Sequence, residues 1–262
     1  MKKTLITLFV LIGVLPSLRS QYSTLNAHSH NDYENEIPLR LAYNNHFGSI
    51  EADIWSVKGE LYVAHYEKEI LPGRTLDSLY IKPIVRIVRE NKGKAWKDNP
   101  STFQLLIDLK TSVTQTLPLL AEKLEQYPDV FNPHKNKNAV RIVITGNRPE
   151  PFEFKNYPGF IFFDGNLDKK YDKKQLKRIA LYSENFRTFS LWNGTGEIVD
   201  KEKIRLQNAI DSAHSLKKKI RFWNSPDNPE AWNTFMEMGI DFINTDHIVE
   251  LTEYLNKTDF RE

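Results

Sequence analysis

Two histidines and three carboxylates lie where strand periodicity would gather them at one mouth. Ser49-Ile50-Glu51-Ala52-Asp53-Ile54-Trp55 is a short, largely apolar, β-prone run, and a period of two puts Glu51 and Asp53 on one face. Like charges side by side on a buried face are costly unless a cation neutralises them. The cation that carboxylate oxygens suit is a hard one, Mg²⁺ or Ca²⁺. A second apolar run, Phe103-Gln104-Leu105-Leu106-Ile107-Asp108-Leu109-Lys110, turns charged at its C-terminal end, so Asp108 offers a third oxygen ligand with Lys110 on the same face. His28 closes the apolar run before Ser29, and His65 closes Glu60-Leu61-Tyr62-Val63-Ala64. Two histidines beside one divalent cation can exchange protons near neutral pH. Such a set suits phosphodiester cleavage: a metal for the phosphoryl oxygens, one histidine to activate a hydroxyl, the other to protonate the leaving oxygen.

The elements that must position these groups follow from hydrophobic patterning. Strand-like runs fall at 24–28, 49–55, 103–109, 140–145, 160–164, 187–192, 219–223 and 241–244. Helical spacing covers 117–127, 170–183, 201–216 and 229–238. Alternation of strands with helices predicts a parallel sheet, and eight runs predict closure into a single-domain α/β (β/α)₈ TIM barrel. The stretch 60–65 is then an extra hairpin after strand 2 that carries His65 over the mouth. Function in such barrels sits at the C-terminal strand ends, and here those ends are polar or aromatic. They place Arg148 and Trp192 as substrate contacts by position. The segment NKGKAWKDNPS, 91–101, is the candidate mobile flap.

Composition limits the partners. The 262 residues are 40% hydrophobic and 27% charged with a net charge of +2, enough apolar surface for one core and no basic footprint for nucleic acid. The basic start Met1-Lys2-Lys3 and the apolar run 5–15 read as a signal peptide over 1–20, followed by one domain over 21–262. That predicts an exported protein, periplasmic or secreted. The absence of cysteine excludes a lipoprotein anchor and any disulfide. No obligate protein partner is evident, and a peripheral contact with a membrane surface is compatible with the pattern.

The succession of His28, Glu51-Ala52-Asp53, His65, and Asp108 with Lys110 resembles the phospholipase C-like phosphodiesterase superfamily, especially glycerophosphodiester phosphodiesterases and sphingomyelinase D-type phospholipases. Arg221-Phe222-Trp223-Asn224 and Gly239-Ile240-Asp241-Phe242-Ile243-Asn244-Thr245-Asp246 resemble that superfamily's last two barrel strands. The chain departs from the glycerophosphodiester phosphodiesterases where Ser29 stands in place of an arginine, and it lacks their Pro-Glu-Asn-Thr segment. The resemblance implies Glu51, Asp53 and Asp108 as ligands of one Mg²⁺ or Ca²⁺, His28 and His65 as base and acid in either order, and Lys110 and Trp223 as substrate contacts. It implies a glycerophosphodiester or a phospholipid head group as substrate, with a cyclic phosphate as one product. Two other readings stay open: a zinc hydrolase of the amidohydrolase or phosphoesterase type built on His28 and His30, and a non-catalytic secreted binding barrel.

Overall fold

The computed structural model describes residues 22–258. The expected signal peptide over 1–20 lies outside them. Nine strands form one sheet: Ala27–Ser29 (β1), Ser49–Val57 (β2), Glu60–Val63 (β3), Gln104–Leu109 (β4), Arg141–Gly146 (β5), Ile161–Gly165 (β6), Ile179–Asn185 (β7), Lys219–Trp223 (β8) and Ile243–Thr245 (β9). Eight of them run parallel in the order β8-β7-β6-β5-β4-β2-β1-β9. Between β8 and β9 a bridge from Arg221 to Phe242 draws the two ends of the sheet together, with the N–H groups of Asp241 and Phe242 donating to the Ile220 carbonyl at 3.2 and 3.3 Å. The result is a nearly closed (β/α)₈ barrel.

The strands read as they do because both faces are covered. In β2, Ile50, Ala52 and Ile54 are wholly buried in the large core between strands and helices, while Glu51 and Asp53 alternate with them toward the barrel interior. Below the mouth the interior is apolar, filled by Leu106, Val143, Leu181 and Phe242. Register carries the polar layer across neighbouring strands, pairing His28 with Ser49, Asp53 with Asp108, and Asp108 with Thr145.

The hairpin after strand 2 is present. β3 pairs antiparallel with β2 through a two-residue turn at Lys58 and Gly59, both with positive φ (50° and 81°), the combination that a tight hairpin of matching twist requires.

Several expectations are corrected. The seventh strand is Ile179–Asn185, and 170–183 is not one helix. Asp172 caps only the four residues Lys173–Leu176, after which Arg178 ties the chain down by donating to the carbonyls of Phe154, Pro158 and Ile161. The stretch 187–192 has the apolar character of a strand for a different reason. Phe186 and Trp192 pack on Phe235 behind the sheet, in and after the short helix Phe186–Phe189. The stretch 91–101 is not a flap over the mouth, since it enters β4 from the N-terminal end of the barrel. It is pinned there by buried Trp96, stacked on Tyr43 at 6.0 Å, and by the Tyr43 hydroxyl donating to the Ala95 carbonyl. The first strand starts at Ala27, because Ser23 accepts from the Leu25 N–H and turns 24–26 into a 3₁₀ segment. Among the described residues, no helix is long and apolar enough to cross a membrane.

Candidate active site

The C-terminal mouth opens into a pocket of about 370 Å³. Glu51 and Asp53 reach it from β2 and Asp108 from β4, and each offers an oxygen within 4.8 Å of the others. Burial and the negative charge of Asp53 push the Asp108 carboxyl up despite Lys110, whose ammonium bridges Asp53 at 2.9 Å and Asp108 at 3.0 Å. Gly146, at φ +68° beside Asp108, leaves the space this carboxylate occupies: a Cβ there would stand 1.9 Å from Asp108 Oδ1. Three oxygen donors on a largely desolvated face fit a hard divalent cation.

Glu51 is also held from the far side of the barrel. Arg221, 3% exposed on β8, donates from one guanidinium nitrogen to Glu51 Oε2 at 2.9 Å and to Asn244 Oδ1 at 2.8 Å, and from Nε to Ser183 Oγ at 2.8 Å. Burial raises the Glu51 carboxyl, but Arg221 outweighs it and holds the group well below the usual carboxylate range. Sequence reasoning missed Arg221 as a site residue. A lone cation between Ile220 and Phe222 in a buried strand, opposite three inward carboxylates, was the signal that could have found it.

The histidines divide. His28 is completely buried, with Nδ1 2.8 Å from Ser49 Oγ, and its Nε2 meets Arg221 at 2.5 Å and Glu51 Oε2 at 2.9 Å. Arg221 can only donate and an ionised Glu51 can only accept, so the two partners of Nε2 call for opposite tautomers. Burial, reinforced by the Arg221 charge, drives His28 down to about 3, so the ring is neutral. Wholly buried beside Glu51, it does not itself line the pocket. His65, one-third exposed, lines the pocket directly. Its Nδ1 donates to Asp53 Oδ2 at 3.0 Å beside the Tyr33 hydroxyl, which donates to the same oxygen at 2.8 Å, and this leaves Nε2 for the pocket. Tyr33 was not anticipated. Asp32, its wholly buried neighbour in the chain, accepts from the Leu39 N–H, the Tyr80 hydroxyl and the Ser29 hydroxyl and so anchors the turn that carries Tyr33.

The remaining expected residues are partly gathered. Lys110, Arg148 and Trp223 line the pocket, with Arg148 held by the Asn166 side chain. Trp192 does not: its indole donates to the carbonyls of Thr195 and Gly196, and its ring packs in the core. His30 lines the pocket with Nδ1 2.9 Å from Asp246. Burial lowers His30, but the Asp246 hydrogen bond and the Glu51 charge outweigh this and raise it. His28 and His30 therefore face different partners, and among the described residues neither joins a cluster able to hold an ion. The zinc reading finds no support in this arrangement.

Residues 17–164, more than half of the chain, match the AIM6-like phosphodiesterase domain, and residues 219–248 match the glycerophosphoryl diester phosphodiesterase family. The chain belongs to the AIM6-like phosphodiesterase family. This AIM6-like chain is 27% identical over 261 aligned residues to the altered inheritance of mitochondria protein 6 homolog of Arthroderma benhamiae, covering 84% of the chain and 81% of that protein. It is also 27% identical to the altered inheritance of mitochondria protein 6 of Lachancea thermotolerans, covering 86% of the chain and 64% of that protein. A glycerophosphodiester phosphodiesterase from Parabacteroides distasonis superposes with a TM-score of 0.53 at 13% identity, over 89% of this chain and 98% of that one, which places the AIM6-like chain in the same barrel fold. These relatives overturn the expectation of an exported protein, periplasmic or secreted: both are named for the inheritance of mitochondria.

Proposed function

We propose that this AIM6-like domain is a metal-dependent phosphodiesterase acting on a glycerophosphodiester or a phospholipid head group. The observation that carries the reading is the convergence of Glu51, Asp53 and Asp108 beside Lys110 and a pocket-facing histidine at the C-terminal mouth. Bound there, Mg²⁺ or Ca²⁺ supplies positive charge to the nonbridging phosphoryl oxygens.

The protein's own groups do the rest. The Lys110 ammonium adds a second positive charge beside Asp53 and Asp108 and steers the phosphate toward them. His28, neutral and in contact with Glu51 and Arg221 through Nε2, is the residue proposed to take the proton of the attacking hydroxyl. His65, oriented through Nδ1 by Asp53 and Tyr33, gives a proton from Nε2 to the leaving oxygen. An attacking hydroxyl from the substrate itself gives a cyclic phosphate with the same residues. Trp223, 40% exposed, forms one wall of the pocket.

The test is turnover of bis(p-nitrophenyl) phosphate and a panel of glycerophosphodiesters and lysophospholipids, first with EDTA and then with Mg²⁺ or Ca²⁺ restored. The reading requires activity rescued by one of these ions and a fall in kcat of roughly 10²- to 10⁴-fold in His65→Ala and in His28→Ala. Full activity in EDTA, or a His65→Ala enzyme as fast as the parent, would sink it.

A further inference from the structure

Across the pocket from His65, the buried side of the mouth holds a group that the phosphodiesterase chemistry does not use. Asp164, at the end of β6, is 2% exposed and lines the pocket. Its Oδ2 accepts from the Thr145 hydroxyl at 3.0 Å. By distance and angle its Oδ1 is, among the described residues, the one buried side-chain oxygen with no hydrogen-bond partner, although the Ser183 hydroxyl stands near enough to act on the carboxyl. Leaving a buried acceptor unpaired costs about 1–3 kcal/mol, more when it is charged. Such a group calls for an explanation, and a ligand that completes it is one.

The surroundings say what would complete it. The ligand must present a hydrogen-bond donor, and a hydroxyl and an ammonium both qualify. The positive charges of Arg148 and Arg221 act on the same carboxyl, and Arg148 lines the same pocket. A cationic head group would bring a third positive charge into that corner. Quaternary ammonium groups are held by several aromatic faces at once, whereas Trp223 is the one tryptophan, tyrosine or phenylalanine side chain lining the pocket among the described residues. The other neighbours are hydroxyl and amide groups, Thr145, Ser183 and Asn166. A neutral, hydroxyl-bearing group meets all of these without a charge conflict.

Spacing agrees. Asp108 pairs in register with Thr145 on β5, and Thr145 bonds to Asp164 on β6, so the carboxylates of Asp108 and Asp164 stand two strands apart, about 10 Å. A phosphate on the triad would leave its substituent to extend toward Asp164.

We infer that Asp164 Oδ1 accepts a hydroxyl of a neutral polyhydroxyl substituent of the substrate, making Asp164 the residue that selects polyol over cationic head groups. This rests on the phosphodiesterase reading for the position of the phosphate. The test compares binding, by calorimetry with Mg²⁺ present, of sn-glycerol 3-phosphate and of propyl phosphate, which carry the same charge and differ by two hydroxyls. The parent protein is expected to bind glycerol phosphate about tenfold or more tightly than propyl phosphate, the value of a hydrogen bond to a charged acceptor. Asp164→Asn, which keeps an acceptor for Thr145 but turns a donor toward the ligand, is expected to shrink that ratio to below about threefold. Equal affinities in the parent overturn the inference without any variant, and so does a preference that survives in Asp164→Asn. Phosphocholine binding more tightly than both would replace the polyol with a cation. Loss of turnover on bis(p-nitrophenyl) phosphate is a separate result, which sinks the catalytic reading and leaves the binding comparison standing on its own.

Discussion

At the scale of the residue, Asp164 and Arg221 show buried charge handled in opposite ways. Burial pushes Asp164 up to about 6, against the nearby charges of Arg148 and Arg221 and the hydroxyls of Ser183 and Thr145. A carboxyl raised in the folded state favours folding below its unfolded value of 3.8, and that contribution is lost as pH rises through about 6. Asparagine does not titrate. Asp164→Asn should therefore match the parent's stability near pH 4 and exceed it by up to about 3 kcal/mol at pH 7.5, since each tenfold change in proton affinity is worth ~1.36 kcal/mol. Urea titrations at the two pH values check this, and an equal or lower stability at pH 7.5 would show that Oδ1 is not a strained acceptor. Arg221 is the reverse case, because removing it strands Glu51, which is 4% exposed. Arg221→Met should cost about 3–5 kcal/mol in the same titration, the penalty of an orphaned buried charge. A loss below about 1 kcal/mol would mean that another group neutralises Glu51. Of these residues the sequence announces Glu51, Asp53 and Asp108, because a period-two strand fixes which side chains share a face. Arg221 and Glu51 are separated by 170 positions, and their pairing depends on barrel closure that no local pattern encodes.

At the scale of the element, the site depends on how the strands end. β5 terminates at Gly146, where positive φ and an added Cβ 1.9 Å from Asp108 Oδ1 leave no room for a side chain. Gly146→Ala should push the Asp108 carboxylate out of the triad and weaken Mg²⁺ or Ca²⁺ binding by tenfold or more, roughly 1.4 kcal/mol. Calorimetric titration of the ion reads this directly, and an unchanged affinity would remove Asp108 from the ligand set. The β2–β3 hairpin was legible because its two runs alternate cleanly on either side of Lys58-Gly59. β7 was not. Its sequence Ile-Ala-Leu-Tyr-Ser-Glu-Asn follows a lysine-rich stretch whose spacing suits a helix, and only the cap at Asp172 and the anchoring of Arg178 end that helix after four residues. Misplacing β7 carried Trp192 into the expected mouth and hid Ser183, which lines the real one.

At the scale of the whole molecule, the barrel gathers three carboxylates at one end of a sheet whose opposite edges meet through little more than one bridge. Lys110 and Arg221 offset only part of that charge, and Asp108 is left raised by burial and by Asp53. The folded state therefore favours a proton on Asp108: that contribution is complete below the unfolded carboxylate value and is lost as pH rises through the raised one. A cation competes for the same oxygens and restores the lost stability where the proton is gone. Ion-dependent stabilisation should then be largest near pH 8 and shrink as pH falls through the Asp108 titration. At a free ion concentration a hundred times the dissociation constant the gain is about 2.7 kcal/mol, which for a chain of this size raises Tm by roughly 5–10 °C. Thermal melts with EDTA and with Mg²⁺ or Ca²⁺, taken at pH 8 and pH 4.5, measure it. A shift equal at both pH values would place the ion away from the triad. A shift present at pH 8 in the parent and absent in Asp108→Asn would fix the ion to the end of the barrel where His65 opens into the pocket.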